Sequence, residues 1–144
     1  MESSIVYALD FDGVLCDSVG ESSKTALKAA AKLWPHLLVE EPYDERILSA
    51  IAQIRPVIET GYENVLLGRL ALETDKDSLM EKFVTPVLND WGSIRDAKLE
   101  EWQTNKDELI EMFGRVRDDW IENSTESWLN ANRMYVDNFN ERPP

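Results

Sequence analysis

The sequence predicts a mostly helical protein in which one N-terminal strand is followed by about six helices. Residues 5–9 are apolar and rich in β formers, and they run directly into an acidic turn that contains a glycine. After Ser18, apolar residues recur at helical spacing and no second β-rich run follows. We therefore expect a buried strand that ends in a carboxylate-bearing loop, and helices from there on.

The first half of the chain predicts three helices. The first covers residues 21–34, carries three lysines spaced four apart on one face, and is ended by Pro35. Asp44 is in position to cap the second helix, which stops near Pro56. Gly61 separates this helix from a third, whose apolar residues are Val65, Leu66, Leu67, Leu70 and Leu72.

The second half of the chain continues the helical pattern. An apolar stripe over residues 79–91 has a predicted break at Pro86. The clearest amphipathic stripe covers residues 109–121, with Thr104 or Asn105 available as its cap. A last helix is expected to begin at Ser124 and to run through Tyr135. The five tryptophans fall mostly on apolar stripes and are expected in the core: Trp34, Trp91, Trp102, Trp120 and Trp128.

Composition and charge narrow the functional classes. The 144 residues include 28 acidic and 15 basic ones, which gives a net charge of −13. Such a charge repels phosphate backbones and anionic lipids, so we expect neither nucleic-acid nor membrane binding. Cys16 is the only cysteine, which excludes an intramolecular disulfide and favours a reducing compartment. The start of the chain has no secretory signal pattern, so the expected location is the cytoplasm.

Two carboxylates, Asp10 and Asp12, follow the predicted strand and carry the clearest chemical signal. Open α/β proteins place their chemistry just beyond the carboxyl end of such a strand. Two carboxylates two residues apart can divide the work there, one attacking a substrate and one moving protons. A compact acidic site of this kind can also recruit a metal cation.

Residues 10–18, DFDGVLCDS, resemble the first motif of the haloacid dehalogenase-like (HAD) hydrolase superfamily, a DxDGxLxDS pattern. The helical stretch that follows resembles the α-helical cap that many members insert between their first and second motifs. The resemblance implies an α/β fold, with a HAD-like Rossmannoid core and an α-helical cap. Residues 1–18 would be the first strand and nucleophile loop, residues 19–137 the cap region, and residues 138–144 a disordered tail.

The resemblance also implies roles for the residues of the loop. Asp10 would be the nucleophile that takes a phosphoryl group as an aspartyl-phosphate, and Asp12 the general acid/base. The Asp10 side chain and the Asp12 backbone carbonyl would be ligands of Mg²⁺, and Gly13 would allow close approach to the phosphate. In the true dehalogenases of the superfamily the second aspartate is typically absent. Its presence here favours a phosphatase that acts on a small phosphorylated metabolite.

Two arginines are candidate substrate contacts. Arg55 and Arg69, together with Tyr62, lie in the stretch where a cap reaches a substrate anion. Ordinary salt-bridge or surface roles are the alternative for all three. His36, which has no metal-binding partners at suitable spacing, is expected to be a surface-loop residue.

The later motifs of the family have no counterpart that follows a strand. Asp118-Asp119 is the only adjacent aspartate pair and lies inside a predicted helix, and Lys106 lies close to a predicted helix cap. We therefore expect a chain that stops before the rest of the catalytic core, as a truncated gene model, a splice product or a fragment. Because positioned charges supply most of the rate in phosphoryl transfer, little or no activity is expected of this chain alone.

A second hypothesis belongs to a different class. The chain would be a stand-alone acidic helical module that binds a partner or regulates it, with the motif as a relic. It predicts a catalytically silent, cooperatively folded protein that associates through its unpaired strand or its helix faces. A third reading, a simple helical bundle with no real strand, stays open.

Overall fold

The computed structural model describes residues 4–6, 8 and 16–134. Within these ranges the chain is mostly helical, as predicted, and its six α-helices follow a short N-terminal strand. The elements in chain order are β1 Cys16–Asp17, α1 Val19–Leu33, α2 Glu45–Gln53, α3 Glu63–Glu73, α4 Thr85–Glu101, α5 Lys106–Asn123, α6 Thr125–Asn130 and β2 Arg133–Met134. Two 3₁₀ segments, Arg55–Val57 and Lys76–Ser78, and one π-helical segment, Met80–Val84, lie between the helices.

The N-terminal strand lies later in the chain than predicted. Of the expected strand over residues 5–9, the described residues 5, 6 and 8 are not in a strand, and Ile5 and Val6 are 73% and 86% exposed. The expectation of a buried strand is therefore wrong for these residues, and the rest of that run lies outside the described residues. Strand backbone needs a hydrogen-bonding neighbour, and in the described part of the chain that neighbour is found beside Cys16–Asp17.

The neighbour is a second strand that the sequence did not predict. β2 pairs with β1 in antiparallel register, with Cys16 opposite Met134 and Asp17 opposite Arg133. The last helix was expected to run through Tyr135, which lies outside the described residues, but α6 already ends at Asn130. Asn132 closes its end, because its Nδ2 donates to the carbonyl of Trp128 over 2.9 Å.

Helix α3 lies at the centre of the packing. It is buried on most of its surface rather than on one stripe, and it packs closely against α1. A Cβ built on Gly68 would lie 3.2 Å from the carbonyl oxygen of Ala26, which shows how near the two backbones come. The largest fully buried apolar side chains of the core are Leu27, Ile54, Leu66, Leu67, Phe83 and Leu109.

The predicted helix caps are confirmed at two positions. Asp44 Oδ1 accepts a hydrogen bond from Arg46 N over 2.9 Å at the start of α2, and Asn105 Oδ1 accepts from Glu108 N over 3.0 Å at the start of α5. Asp44 also receives hydrogen bonds from the Arg46 guanidinium, and these bonds lower the pKa of the Asp44 carboxyl far below its usual value.

The predicted break at Pro86 is wrong. Pro86 is the second residue of α4, which follows directly on the π-helical segment Met80–Val84, so the chain is helical on both sides of the proline. The helix is interrupted four residues later, at Asp90, whose φ of −156° and ψ of 58° are not helical. Among the tryptophans, Trp91 and Trp120 are buried, and Trp34 and Trp102 pack partly buried against the core.

Candidate functional site

Only the last part of the aspartate motif belongs to the described residues. Asp10, Asp12 and Gly13, the candidate nucleophile, acid/base and phosphate-loop residues, lie outside them. Cys16, Asp17 and Ser18 are described, and they form β1 and the residue before α1. The candidate site can therefore be described where the end of the motif joins the helices.

Residues 16–20 and 128–134, which contain β1 and β2, are termed the stem. The Asp17 carboxylate accepts a hydrogen bond from Val19 N over 3.1 Å, so the last aspartate of the motif satisfies a free amide at the start of α1. Gly20 lies close to the second half of the stem. A Cβ built on Gly20 would be 3.0 Å from the carbonyl oxygen of Ala131. A side chain at position 20 would push the two halves of the stem apart.

Cys16 joins the two halves through its side chain. It is fully buried, and its Sγ donates to Oδ1 of Asn132 over 3.6 Å, which is within the range for a sulfur hydrogen bond. Asn132 is the same residue that closes the end of α6. The chain thus enters the helical body and leaves it at one place, directly beside the end of the motif.

Glu21, in the first turn of α1, is a buried carboxylate that sequence reasoning missed. Its side chain is 2% exposed, and Arg117 of α5 binds it with two hydrogen bonds, from Nε over 2.8 Å and from Nη2 over 2.9 Å. Thr25, one turn further along α1, donates its hydroxyl over 2.9 Å. The charge of this carboxylate is balanced by the bidentate guanidinium, and the hydroxyl adds a further hydrogen bond. The pair therefore links α5 to α1 near the stem.

Glu63, at the start of α3, is a second buried carboxylate that the sequence did not single out. Its Oε2 accepts hydrogen bonds from the backbone N–H of Thr60 over 2.8 Å and of Glu59 over 3.0 Å. Its Oε1 accepts from the Trp91 indole over 3.0 Å and from the Arg95 guanidinium over 3.3 Å. Burial alone would raise the pKa of Glu63, but these donors outweigh it and lower the pKa below the usual value.

Arg69 lies in a packed cluster at the far end of α1. Its side chain is 13% exposed and donates to Glu73 over 2.8 Å. The guanidinium carbon is 4.6 Å from the ring centroid of Trp34 and 4.2 Å from that of Trp102. Trp34 follows the last residue of α1, about 22 Å along that helix from the stem. These contacts favour the salt-bridge alternative, and a substrate contact at Arg69 stays a prediction.

Arg55 and Tyr62 have separate contacts among the described residues. Arg55 Nη1 donates to the carbonyl of Ile58 over 3.5 Å, within its own turn. The Tyr62 ring lies 5.5 Å from Nζ of Lys106. His36 Nε2 is 3.6 Å from Glu73 Oε1, and the His36 side chain is mostly exposed, as expected for a loop residue. A role for Arg55 in binding a substrate anion stays a prediction.

The described residues contain no candidate metal centre and no helix able to span a membrane. In residues 4–6, 8 and 16–134, no three His, Cys, Asp or Glu side chains form a group able to hold a metal ion. Among the helices of the same ranges, none is long and apolar enough to cross a membrane. The Asp118-Asp119 pair lies on α5, inside a helix as expected.

Comparison of the chain with protein-family models, with curated proteins and with solved structures gave no match in any of the three.

Proposed function

We propose that this chain carries the nucleophile loop and the helical cap of a HAD-type, Mg²⁺-dependent phosphatase of a small phosphorylated metabolite. One observation carries the proposal. The DxDGxLxDS pattern of residues 10–18 runs straight into the stem, where the chain enters and leaves the helical body side by side. A domain inserted into a loop needs this geometry, because it must return the chain to the place at which it left.

The reaction follows from the two aspartates. The Asp10 carboxylate attacks the phosphorus and forms an aspartyl-phosphate, while the bond from phosphorus to the ester oxygen breaks. Asp12 gives its proton to the departing oxygen, and then takes one from the water that hydrolyses the intermediate. Phosphate and an alcohol leave, and both aspartates return to their first protonation states.

A magnesium ion fits the donor chemistry of the loop. The Asp10 carboxylate and the Asp12 backbone carbonyl are hard oxygen donors, and Mg²⁺ commonly takes only one or two protein ligands with water and substrate oxygens. When bound, the ion would neutralise charge on the phosphoryl group. The described residues add no cluster of further ligands, so weak binding is expected for this chain alone.

The first test measures metal binding and turnover in the same samples. Mn²⁺, used in place of Mg²⁺, should broaden the backbone amide NMR signals of residues 10–13. Because the Asp10 side chain is a ligand whereas Asp12 contributes its backbone, Asp10→Asn should weaken binding about tenfold or more and Asp12→Asn much less. The matched control is Asp118→Asn, which removes one exposed carboxylate from α5.

Hydrolysis of p-nitrophenyl phosphate with Mg²⁺ is expected to stay close to the background rate, because the lysine and the phosphate-binding hydroxyl of the family have no counterpart here. Mn²⁺ broadening that is unchanged in Asp10→Asn would overturn the proposed site. Fast turnover that Asp10→Asn abolishes would instead uphold the site and overturn the expected inactivity.

A second candidate function is supported by the core of the helical body. Fully buried side chains such as Leu27, Leu66 and Phe83 come from different segments of residues 19–130 and pack together without any residue of the motif. A body with its own core can serve as a catalytically silent helical binding or regulatory module. For this candidate, a cooperative melt and a stable dimer by light scattering are expected, together with no effect of Asp10→Asn on metal binding.

A further inference from the structure

A groove along the outer side of α1 combines cations with an aromatic floor. It lies between α1, α5 and the loop that joins α1 to α2, and it has a volume of about 360 Å³. A neighbouring compartment of about 180 Å³ shares four of its lining residues and extends along the groove to α6. The lysines that line the two compartments are Lys24, Lys28 and Lys32, one helical turn apart on α1.

Trp120 forms the floor of both compartments. It is 8% exposed, and its Nε1 donates to Ser127 Oγ over 3.2 Å, which fixes the plane of the indole. Nζ of Lys28 lies 4.1 Å from the centre of the ring and holds a positive charge over the aromatic face. The floor is thus rigid and apolar, with a cation beside it.

Two of the three lysines have carboxylate partners in the groove. Lys28 is 3.8 Å from Glu41 and Lys32 is 3.7 Å from Asp119, which are loose ion pairs with exposed carboxylates. Glu41 also accepts the Tyr43 hydroxyl over 2.8 Å. Lys24, partly buried at the α6 end of the groove, makes no ion pair within the described residues.

Tyr43, which also lines the groove, holds the Glu41 carboxylate in place through its hydroxyl. Burial, and then the neighbouring Glu41 carboxylate, raise the pKa of the Tyr43 phenol, so the phenol keeps its proton and continues to bind Glu41. Glu41 is thereby shared between Tyr43 and Lys28. Three carboxylates thus line the groove: Glu41 and Asp119 face Lys28 and Lys32, and Glu45 lines the smaller compartment as an exposed side chain.

From these contacts we infer that the groove binds a small organic anion, with its ring against Trp120 and its carboxylate or phosphate-like group between Lys24 and Lys28. A net charge of −13 repels anions elsewhere, so binding requires a local cluster of cations of this kind. The inference is independent of the proposed phosphatase, since none of the groove residues belongs to the aspartate motif.

The test is an NMR titration with phenylphosphonate, which has no ester bond to hydrolyse. The Trp120 indole N–H signal should shift in a saturable way, and methylphosphonate, which lacks the ring, should bind at least about fivefold more weakly. Lys24→Glu should weaken phenylphosphonate binding about tenfold or more, because it replaces a contact cation by a repelling carboxylate.

Two controls separate this site from other effects. Lys82→Glu makes the same charge change at an exposed position outside the groove and should leave the affinity within about twofold of the wild type. Asp10→Asn should also leave it unchanged, so failure of the groove and failure of the phosphatase proposal are distinguishable. Circular dichroism melts identify any variant that has lost its fold, and Lys28→Gln serves as the second groove variant in that case.

Three results would overturn the inference. One is a Trp120 signal that does not shift. Another is equal loss of affinity in Lys24→Glu and Lys82→Glu, which would show long-range charge effects only. The third is equal binding of phenylphosphonate and methylphosphonate, which would exclude the aromatic floor.

Discussion

Two buried glutamates follow the same sequence pattern and find different partners. Glu21 stands three residues after Ser18, and Glu63 three residues after Thr60, which is the spacing of a helix capping box. Glu63 does reach back to the Thr60 N–H, over 2.8 Å. Glu21 instead binds Arg117, which is 96 residues away in the chain, and the Ser18 side chain makes no cap hydrogen bond.

The difference shows where local sequence stops being informative. A capping box depends on backbone amides that are always within reach of the glutamate, so the spacing alone can predict it. In α1, however, the glutamate faces α5, where a guanidinium offers two charge-assisted hydrogen bonds. A donor supplied by the tertiary fold therefore replaces the local one, and no spacing near Ser18 reveals it.

The two carboxylates also differ in how freely their partners can move. Arg117 has a side chain that is 36% exposed, so it can turn toward water if Glu21 changes. Glu63 also has a partly exposed arginine partner, Arg95, but its shorter hydrogen bonds come from backbone amides and from the indole of Trp91, which is only 6% exposed. We therefore expect a change at Glu63 to be the more costly one.

The largest effect is expected for Glu63→Gln. Both oxygens of Glu63 accept hydrogen bonds, so the NH₂ group of glutamine must face at least one donor that cannot move away. We expect a loss of about 3 kcal/mol in the free energy of unfolding, measured with urea at pH 7. Glu21→Gln is the matched control and should lose about half as much, because Arg117 can turn outward. Equal losses at the two positions would contradict the comparison.

A smaller effect is expected for Arg117→Ala, which leaves the Glu21 carboxylate with the hydroxyl of Thr25 as its nearest strong donor. Because water can reach the vacated position, we expect a loss of about 2 kcal/mol rather than the larger cost of a fully enclosed charge. The double variant Glu21→Gln with Arg117→Ala should lose less than the sum of the two single changes. Additive losses would show that the pair is not coupled in solution.

The starts of α2 and α5 could be predicted from local signals, because each signal acts within a few residues. Asp44 and Asn105 cap α2 and α5 as expected, since a side-chain oxygen at that position meets a free amide whatever the rest of the chain does. Pro86 misled the prediction because the chain passes from a π-helical segment into α4 just before the proline, and the helical backbone continues through it.

The stem could not be predicted in the same way. β1 and β2 have two residues each, which is too short for a periodic pattern, and they lie more than a hundred residues apart in sequence. The motif that includes β1 could be recognised because its residue types are specific. The contacts that organise the helices beside it, such as Cys16 with Asn132, depend on the tertiary fold.

The smallest expected effect is a change in the pH dependence of stability. The pKa of Glu63 is lowered in the folded state, so between the folded and unfolded pKa values the unfolded chain binds more protons. Stability from this group is therefore complete above the unfolded value of about 4.3 and is lost as the pH falls toward the folded value. Urea unfolding of the wild type from pH 7 to pH 3 should show this loss together with those of the other carboxylates.

Glu63→Gln isolates the contribution of Glu63 because glutamine does not titrate. Its stability should fall less steeply with decreasing pH than that of the wild type, so the gap between the two proteins should narrow at acid pH. Trp91→Phe, which removes one donor to the carboxylate but leaves the backbone amides in place, should give an intermediate slope. Parallel curves for all three proteins would show that the backbone amides and the indole do not favour the ionised form of Glu63. The hydrogen bond from the Thr60 N–H would then stabilise the start of α3 independently of charge, and the contrast with the Arg117-bound Glu21 would reduce to geometry alone.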